Sequence, residues 1–334
     1  MAEIVPPIDH PETARQGLIP LDLSALFWPY TPRRVQLQLN PRLAHLEHET
    51  ETVRVRHVLR GFVLGNLILE AHGLTPASFA IIGPGSGAEA IGAAHIFPAV
   101  CRLVLRDRDA LILAGAAVNV RRHVRESINV ISQAGNIYAP LALAERPVDL
   151  LFANFSDIPF TDAPEAVADR GAYWPPVTRT DHDSALNLWR LAFAYGFLRS
   201  APATLTPQGS ALILLGGRFP YGVFDRLAEA AGLHFQELRS WLQPQADPGN
   251  VLAGFAAAET AGAPDFDFYD VGQAEPVIAG RILHGEELKA ALAPYRLSAS
   301  AALKAFRGGR MIGYTAHLML ATPFRSEVTI WPEE

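Results

Sequence analysis

Eight residues constrain this chain more than any others: Ile82-Gly83-Pro84-Gly85-Ser86-Gly87-Ala88-Glu89, set between a continuous apolar run and a helical pattern. Glycine tolerates backbone angles that other residues avoid. It also lets a ligand approach without a Cβ in the way, while the start of the following helix offers unpaired N–H groups. A strand that hands over to a helix through such a turn belongs to a parallel sheet and predicts a nucleotide-like ligand at the strand ends. Counted as Gly83, Gly85 and Ala88, the turn fits the dinucleotide pattern G-x-G-x-x-G/A. Counted as Gly83, Gly85 and Gly87 it reads G-x-G-x-G, and the loop alone does not choose between them.

The pattern around this loop predicts an α/β fold. Phe79-Ala80-Ile81-Ile82 reads as a buried strand, 88–97 as a helix, Leu103-Val104-Leu105 as a strand and 109–124 as a helix. Short strands follow at 129–132 and 148–153, and alternation of this kind gives a parallel sheet with helices on both faces. Further on, the sequence predicts helix 184–198, strand 211–215, helix 221–231, strand 235–241 and a closing strand at 311–320. The expected architecture is a doubly wound, mostly parallel sheet of seven strands. Ahead of it, residues 1–78 are expected to form an arm and a helical cap. Asn40-Pro41 predicts the start of a long helix and Gly73 its stop. Residues 79–334 form the expected ligand-binding domain, with a helical insertion at about 250–306.

Composition narrows the function. The 334 residues are 49% apolar and carry a net charge of −6, so a nucleic-acid partner is not expected. Lys289 and Lys304 are the only lysines, which excludes a Gly-Lys-Ser/Thr phosphate loop and the Tyr-x-x-x-Lys pair of short-chain reductases. Cys101 stands alone, so no intramolecular disulfide and no thiolate metal cluster can form. The first ten residues lack a basic stretch followed by an apolar run, and no segment gives about 20 uninterrupted apolar residues. A cytoplasmic protein with no membrane partner is expected.

Asp107 ends the second strand pattern 20 residues beyond Gly87, where an acid holds ribose hydroxyls. Asp109 is an alternative, and Asp107 as a helix cap is another. With Asp107, Asn119, Gly135-Asn136 and Val148-Asp149-Leu150-Leu151-Phe152-Ala153-Asn154 in place, the chain resembles the class I S-adenosylmethionine-dependent methyltransferases over about 79–243. The resemblance implies S-adenosylmethionine as cofactor. Its methionine part would pass Gly83, Gly85 and Gly87, its ribose would meet Asp107, and its adenine would meet Asn136 and Ile137. Two positions depart from the family: Ile81 stands where an acid often meets the cofactor's amine, and Asn136 stands where the adenine edge usually meets Asp.

Asn154-Phe155-Ser156-Asp157-Ile158-Pro159-Phe160 follows the fourth strand and is the expected reaction floor. It is similar to the Asn-Pro-Pro-Tyr segment of methyltransferases acting on amino groups, although only Asn154 matches. Asn154, Ser156 and Asp157 are therefore the candidate catalytic residues, with Asn154 and Phe155 also lining the cofactor. Methyl transfer from a sulfonium needs alignment and exclusion of water more than acid or base help, so a missing triad is no objection. Aromatic walls for the sulfonium are available in Trp28, Tyr30, Phe155, Phe160, Tyr173 and Trp174. His45 with His48 makes a poor metal pair on a charged helix face, and no metal is assigned. His182, between Asp181 and Asp183, is a candidate base, and Arg218 after Gly216-Gly217 is expected at a substrate mouth. The resemblance implies methyl transfer to a small-molecule, secondary-metabolite acceptor. The alternative is cyclisation of S-adenosylmethionine to azetidine-2-carboxylic acid and methylthioadenosine, and a non-catalytic cofactor sensor is a third reading.

Overall fold

In a computed structural model of the chain, residues 18–27, 29, 34–40, 43, 48–135, 146–154, 186 and 188–323 are described. In chain order their elements are β1 (Ile19–Asp22), α1 (Ser24–Phe27), β2 (Gln36–Leu39), α2 (His48–Ala71), β3 (Ser78–Ile82), α3 (Ala88–Ile96), β4 (Arg102–Asp107), α4 (Ala110–His123), β5 (Asn129–Ala134) and β6 (Val148–Asn154). After β6 come α5 (Ala192–Ser200), β7 (Leu205–Gly216), α6 (Gly222–Ala231), β8 (His234–Pro244), α7 (Pro248–Thr260), β9 (Phe268–Asp270), α8 (Val271–Ile278), α9 (Gly285–Leu292), β10 (Arg296–Leu297), α10 (Ala299–Arg307) and β11 (Ile312–Thr322). Among the described residues no helix is long and apolar enough to cross a membrane.

Every residue of β3 is buried, and a strand apolar on both faces must be covered on both. The main sheet runs β10-β9-β11-β7-β6-β3-β4-β5, with β8 also paired to β11. Strands β3 to β7 are mutually parallel, and β11 is antiparallel to both β7 and β8. The chain leaves β3 toward β4 and β5, then returns to lay β6 on the other flank of β3. This reversal opens a crevice at the carboxyl ends of β3 and β6, where open α/β sheets bind ligands. The doubly wound, mostly parallel arrangement expected from the sequence is present.

The strand count differs from expectation, with nine strands in this sheet instead of seven. The two extra strands, β9 and β10, come from the segment expected to be wholly helical. β9 pairs with Ile312 and Gly313, the part of β11 that lies beyond the end of β7. Three residues carry no readable period, so the sequence could not announce this strand. The Asn40 carbonyl accepts the Leu43 amide at 2.8 Å; residues 41, 42 and 44–47 lie outside the described residues, and the next described helix begins at His48.

Helix α2 lies on the sheet itself. Val55, Val58, Leu59 and Phe62 join Phe79, Phe152 and Leu318 in one apolar cluster, and the Phe62 ring meets Phe152 edge-on at 5.2 Å. The opposite face of the sheet buries Ile82, Ala153, Ile213 and Met319 under Phe197, Phe224 and Leu227. Near the far edge, α2 packs on β8: His57 stacks on Trp241 at 4.8 Å with an interplanar angle of 10°. Burial first, and then Arg239, Arg60 and Arg56, pull His57 down to about 3. Between that value and the ordinary 6.5 the folded chain binds fewer protons at His57 than the unfolded chain does. Its contribution to stability is therefore intact above 6.5 and lost as pH falls toward 3. Urea unfolding across this range should show a slope of up to about 1.4 kcal/mol per pH unit that His57→Gln removes. Equal slopes in the two proteins would contradict this account of the α2–β8 seam.

Candidate functional site

The turn after β3 is built by backbone conformation. Gly83, Gly85 and Gly87 have φ of +68°, +52° and +89°, a region that residues with a side chain avoid. The three glycines serve two ends. A Cβ at Gly83 or Gly85 would meet nothing within 4 Å, so these two face open space. A Cβ at Gly87 would strike Val120 Cγ2 at 3.0 Å and the Ala116 carbonyl at 3.1 Å, so Gly87 is what lets the start of α3 lie against α4. Gly87 has no side chain with which to cap α3, and Ser86 Oγ accepts the Ala88 amide at 3.4 Å.

Hydrogen bonds pin this turn on both sides. The amide of Gly83 donates to the Arg106 carbonyl at 2.8 Å, and that of Gly87 to the Pro84 carbonyl at 2.7 Å. Asn119, buried on α4, donates to the Ser86 carbonyl and to the Gln38 carbonyl, both at 2.9 Å, and accepts the Gln38 amide at 3.0 Å. One side chain thus ties the glycine turn to β2, and the amino-terminal strands become a wall beside it.

Asp107 closes β4 at the same edge. Its Oδ1 accepts the Asp109 amide at 2.8 Å, and its carbonyl accepts the Gly135 amide at 2.9 Å. Asp109 caps α4, with Oδ1 accepting from Leu111 at 2.8 Å and Ile112 at 3.2 Å. The cap role therefore falls to Asp109. Burial raises the Asp107 carboxyl above its ordinary value, and the Asp109 amide opposes this in part. Asn154 ends β6, one residue past Ala153, which pairs with Ile82 at the head of the glycine turn. Gly83, Gly85, Gly87, Asp107 and Asn154 thus share one sheet edge at the point of strand reversal.

Asn136, Ile137, Phe155, Ser156 and Asp157 lie outside the described residues, as do Trp28, Tyr30, His45, Phe160, Tyr173, Trp174 and His182. Among the described residues no group of three His, Cys, Asp or Glu is placed to hold a metal. Arg218 is a correction. Instead of facing a substrate mouth it is buried, its guanidinium 3.5 Å from the centroid of the Tyr314 ring and bonded to Gln245 Oε1 at 2.7 Å. Its place beside Phe255 and Phe268 ties the segment after β8 to the sheet.

Sequence reasoning missed a buried ionic cluster beside the turn. Arg54 on α2 donates to Glu51 at 2.5 and 3.2 Å and also reaches Glu89, in the first turn of α3. Glu51 and Glu89 are 2% and 4% exposed, so among the described residues one guanidinium serves two buried carboxyl groups. Burial raises the Glu89 carboxyl and works against the Arg54 charge, yet the two acids hold Arg54 above its ordinary value. The i, i+3 spacing of Glu51 and Arg54 was legible as a helical pair, whereas the contact to Glu89 needed the fold.

No family model and no curated protein matches the chain. Solved structures resemble it distantly. The YcgJ protein from Bacillus subtilis is 13% identical with a TM-score of 0.41, covering 79% of this chain and 98% of its own. Precorrin-6y C5,15-methyltransferase from Geobacter metallireducens is 12% identical with a TM-score of 0.37, covering 79% and 87%. The [4+2]-cyclase SpnF is 15% identical with a TM-score of 0.35, covering 78% and 80%. Likeness of this order leaves the fold to be read from the chain itself, and no activity passes across it.

The Asn119 clamp has a measurable worth. Asn119→Ala strands the Ser86 carbonyl and both Gln38 backbone groups, and chemical denaturation should show a loss of about 1–3 kcal/mol. A change near zero would mean that β2 and the glycine turn hold their places without it.

Proposed function

We propose that this chain binds S-adenosylmethionine at the carboxyl ends of β3 and β4 and transfers its methyl group to a small-molecule acceptor of secondary metabolism. The observation that carries this reading is the open cradle over Gly83 and Gly85 beside the half-buried Asp107 carboxylate, at the reversal of strand order. In this reading Asp107 accepts from ribose hydroxyls, and Gly83 and Gly85 leave room for the methionyl part on a turn shaped by Gly87. Asn136 and Ile137 meet the adenine. Asn154 and Phe155 line the cofactor, and Asn154, Ser156 and Asp157 form the floor that orients the acceptor. Ile81 is buried among apolar side chains and offers the cofactor's amine nothing. In this reading Glu89, in the first turn of α3, supplies the counter-charge for that ammonium. When bound, the cofactor supplies an electrophilic methyl group on a sulfonium. The chain's part is alignment and exclusion of water, which suffice for an in-line displacement.

The sheet argues against a dinucleotide. Binding across two mononucleotide halves requires a sixth strand parallel to the fifth, whereas here antiparallel β11 separates β7 from β8. A second reading rests on Ile81. An amine not fixed at that position is available to attack the cofactor's own γ-carbon. The N–C bond forms as C–S breaks, methylthioadenosine leaves, and one ammonium proton passes to solvent.

Calorimetry decides the cofactor: S-adenosylmethionine should bind and NAD should not, and the reverse result removes the reading. Chromatography of reaction products then separates the chemistries, because S-adenosylhomocysteine reports transfer to an acceptor and methylthioadenosine reports cyclisation. Asp107→Asn should weaken S-adenosylmethionine binding by roughly tenfold to a hundredfold. The folded carboxyl is raised, so its ionisation costs stability as pH climbs above its ordinary value. The same variant should therefore unfold at a higher temperature than the wild type at neutral pH without ligand. A destabilised Asp107→Asn with unchanged affinity would assign Asp107 to structure alone. Glu89→Gln should weaken S-adenosylmethionine more than adenosine, which lacks the ammonium; equal losses would refute the counter-charge role.

A further inference from the structure

We propose that Arg56, Arg60 and Arg239, backed by His57, form a binding site for a phosphate group on a small molecule, on the outer edge of the sheet where α2 crosses β8. This site is separate from the cofactor reading and does not rest on it. Arg56 and Arg60 stand one helical turn apart on α2, and both are exposed. Arg239 rises from β8 opposite them. Its Cβ lies 3.8 Å from where a Cβ of Gly61 would be, so the helix crosses there with no side chain over the arginine.

The arginine is held from behind by an uncharged group. Its Nε donates to His57 Nδ1 at 2.8 Å, and the imidazole is sandwiched against Trp241, whose own Nε1 donates to Gln243 Oε1 at 2.7 Å. An imidazole that accepts at Nδ1 contributes orientation and no charge. With Nε engaged, the two terminal nitrogens of Arg239 are left pointing away from the imidazole, and among the described residues no carboxylate meets Arg56, Arg60 or Arg239. The acids described on the same two elements are committed elsewhere. Glu51 serves Arg54, Glu70 accepts from Asn66 at 2.8 Å, and Glu237 is held by His317 at 2.8 Å and the Gly285 amide at 2.5 Å.

This arrangement costs the fold something. Arg239 is half-buried, and burial together with the charge of Arg60 lowers its affinity for its proton. Like charges repel, and a partly desolvated cation without a counter-ion among the described residues is unfavourable. In a chain of net charge −6 such a cluster is conspicuous. An oxyanion offsets the cost directly, because a guanidinium fork grips two oxygens of one group and the flanking arginines neutralise a second charge. The cluster is compact and the overall charge is negative, which fits one small phosphate-bearing ligand and not a polynucleotide, whose binding needs many phosphate contacts.

The test uses the full chain at low ionic strength, with inorganic phosphate and pyrophosphate as probes and chloride at matched ionic strength as control. Calorimetry should give saturable heat with the phosphates, and the Arg239 side-chain Nε–H resonance should shift with the same midpoint. Arg239→Gln should weaken binding by at least about tenfold. The double variant Arg56→Gln, Arg60→Gln should do likewise, and because both positions are exposed it keeps the proposal testable if the half-buried variant fails to fold. Equal displacement by chloride, or unchanged binding in the double variant, would overturn the proposal. So would a wild type blind to both probes whose Arg239→Gln form self-associates, since the arginines would then be guarding a free strand edge.

Discussion

The contact that the rest of the site depends on is the approach of α3 to α4 at Gly87. Val120 Cγ2 and the Ala116 carbonyl occupy the space a side chain at Gly87 would need. That closeness brings Asn119, one turn further along α4, within reach of the Ser86 carbonyl. Asn119 then fixes β2, and β2 carries the buried Leu37 and Leu39 into the core under α2. A larger residue at position 87 would push the helices apart and undo three connections at once. Gly83 and Gly85 have no such neighbours, so their lack of a side chain is explained by their positive φ, and the space above the strand ends is open.

Charge around the crevice follows a consistent physical logic. Isolated carboxylates are costly to bury, and those near the turn are each partnered by something that does not neutralise them fully. Asp107 receives the backbone amides of Asp109 and Arg108. Glu51 and Glu89 share Arg54, and the first turn of α3 favours an acid at Glu89 through the helix dipole. The acids beside the turn are thus held by backbone amides or by a shared guanidinium.

Much of the fold was legible because its determinants are local. β3 is buried on both faces over five residues, four of them apolar, Asp109 carries the short polar side chain that caps a helix, and Gly73 ends α2 with φ of +71°. The glycine turn and Asp107 were legible for the same reason, since their spacing encodes a strand, a turn and a strand end. What escaped depends on long-range pairing. β9 exists because β11 runs past β7 and leaves an edge to be paired, which three residues cannot signal by themselves. Arg54 finds Glu89, and Asn119 finds Gln38, only after α2, α3 and α4 are stacked. Arg218 looked like a surface arginine after a glycine pair, and its burial against Tyr314 required knowing that β11 returns beside β7.

Helix α2 carries two unlike charge clusters, and helical geometry explains how. Glu51 and Arg54 are three residues apart and share the face turned to α3, whereas His57 turns toward β8 and Arg56 and Arg60 toward solvent. The first cluster is acidic and closed by a partner from another helix; the second is basic and open. Between and beyond them the helix buries Val55, Val58, Leu59 and Phe62 in the core, so it behaves as a rigid member of the sheet domain. A charge gained or lost on one face is separated from the other by packed apolar side chains, which carry no counter-charge and do not rearrange to follow it. The two faces should therefore respond independently, each to the ligand chemistry its own charge selects.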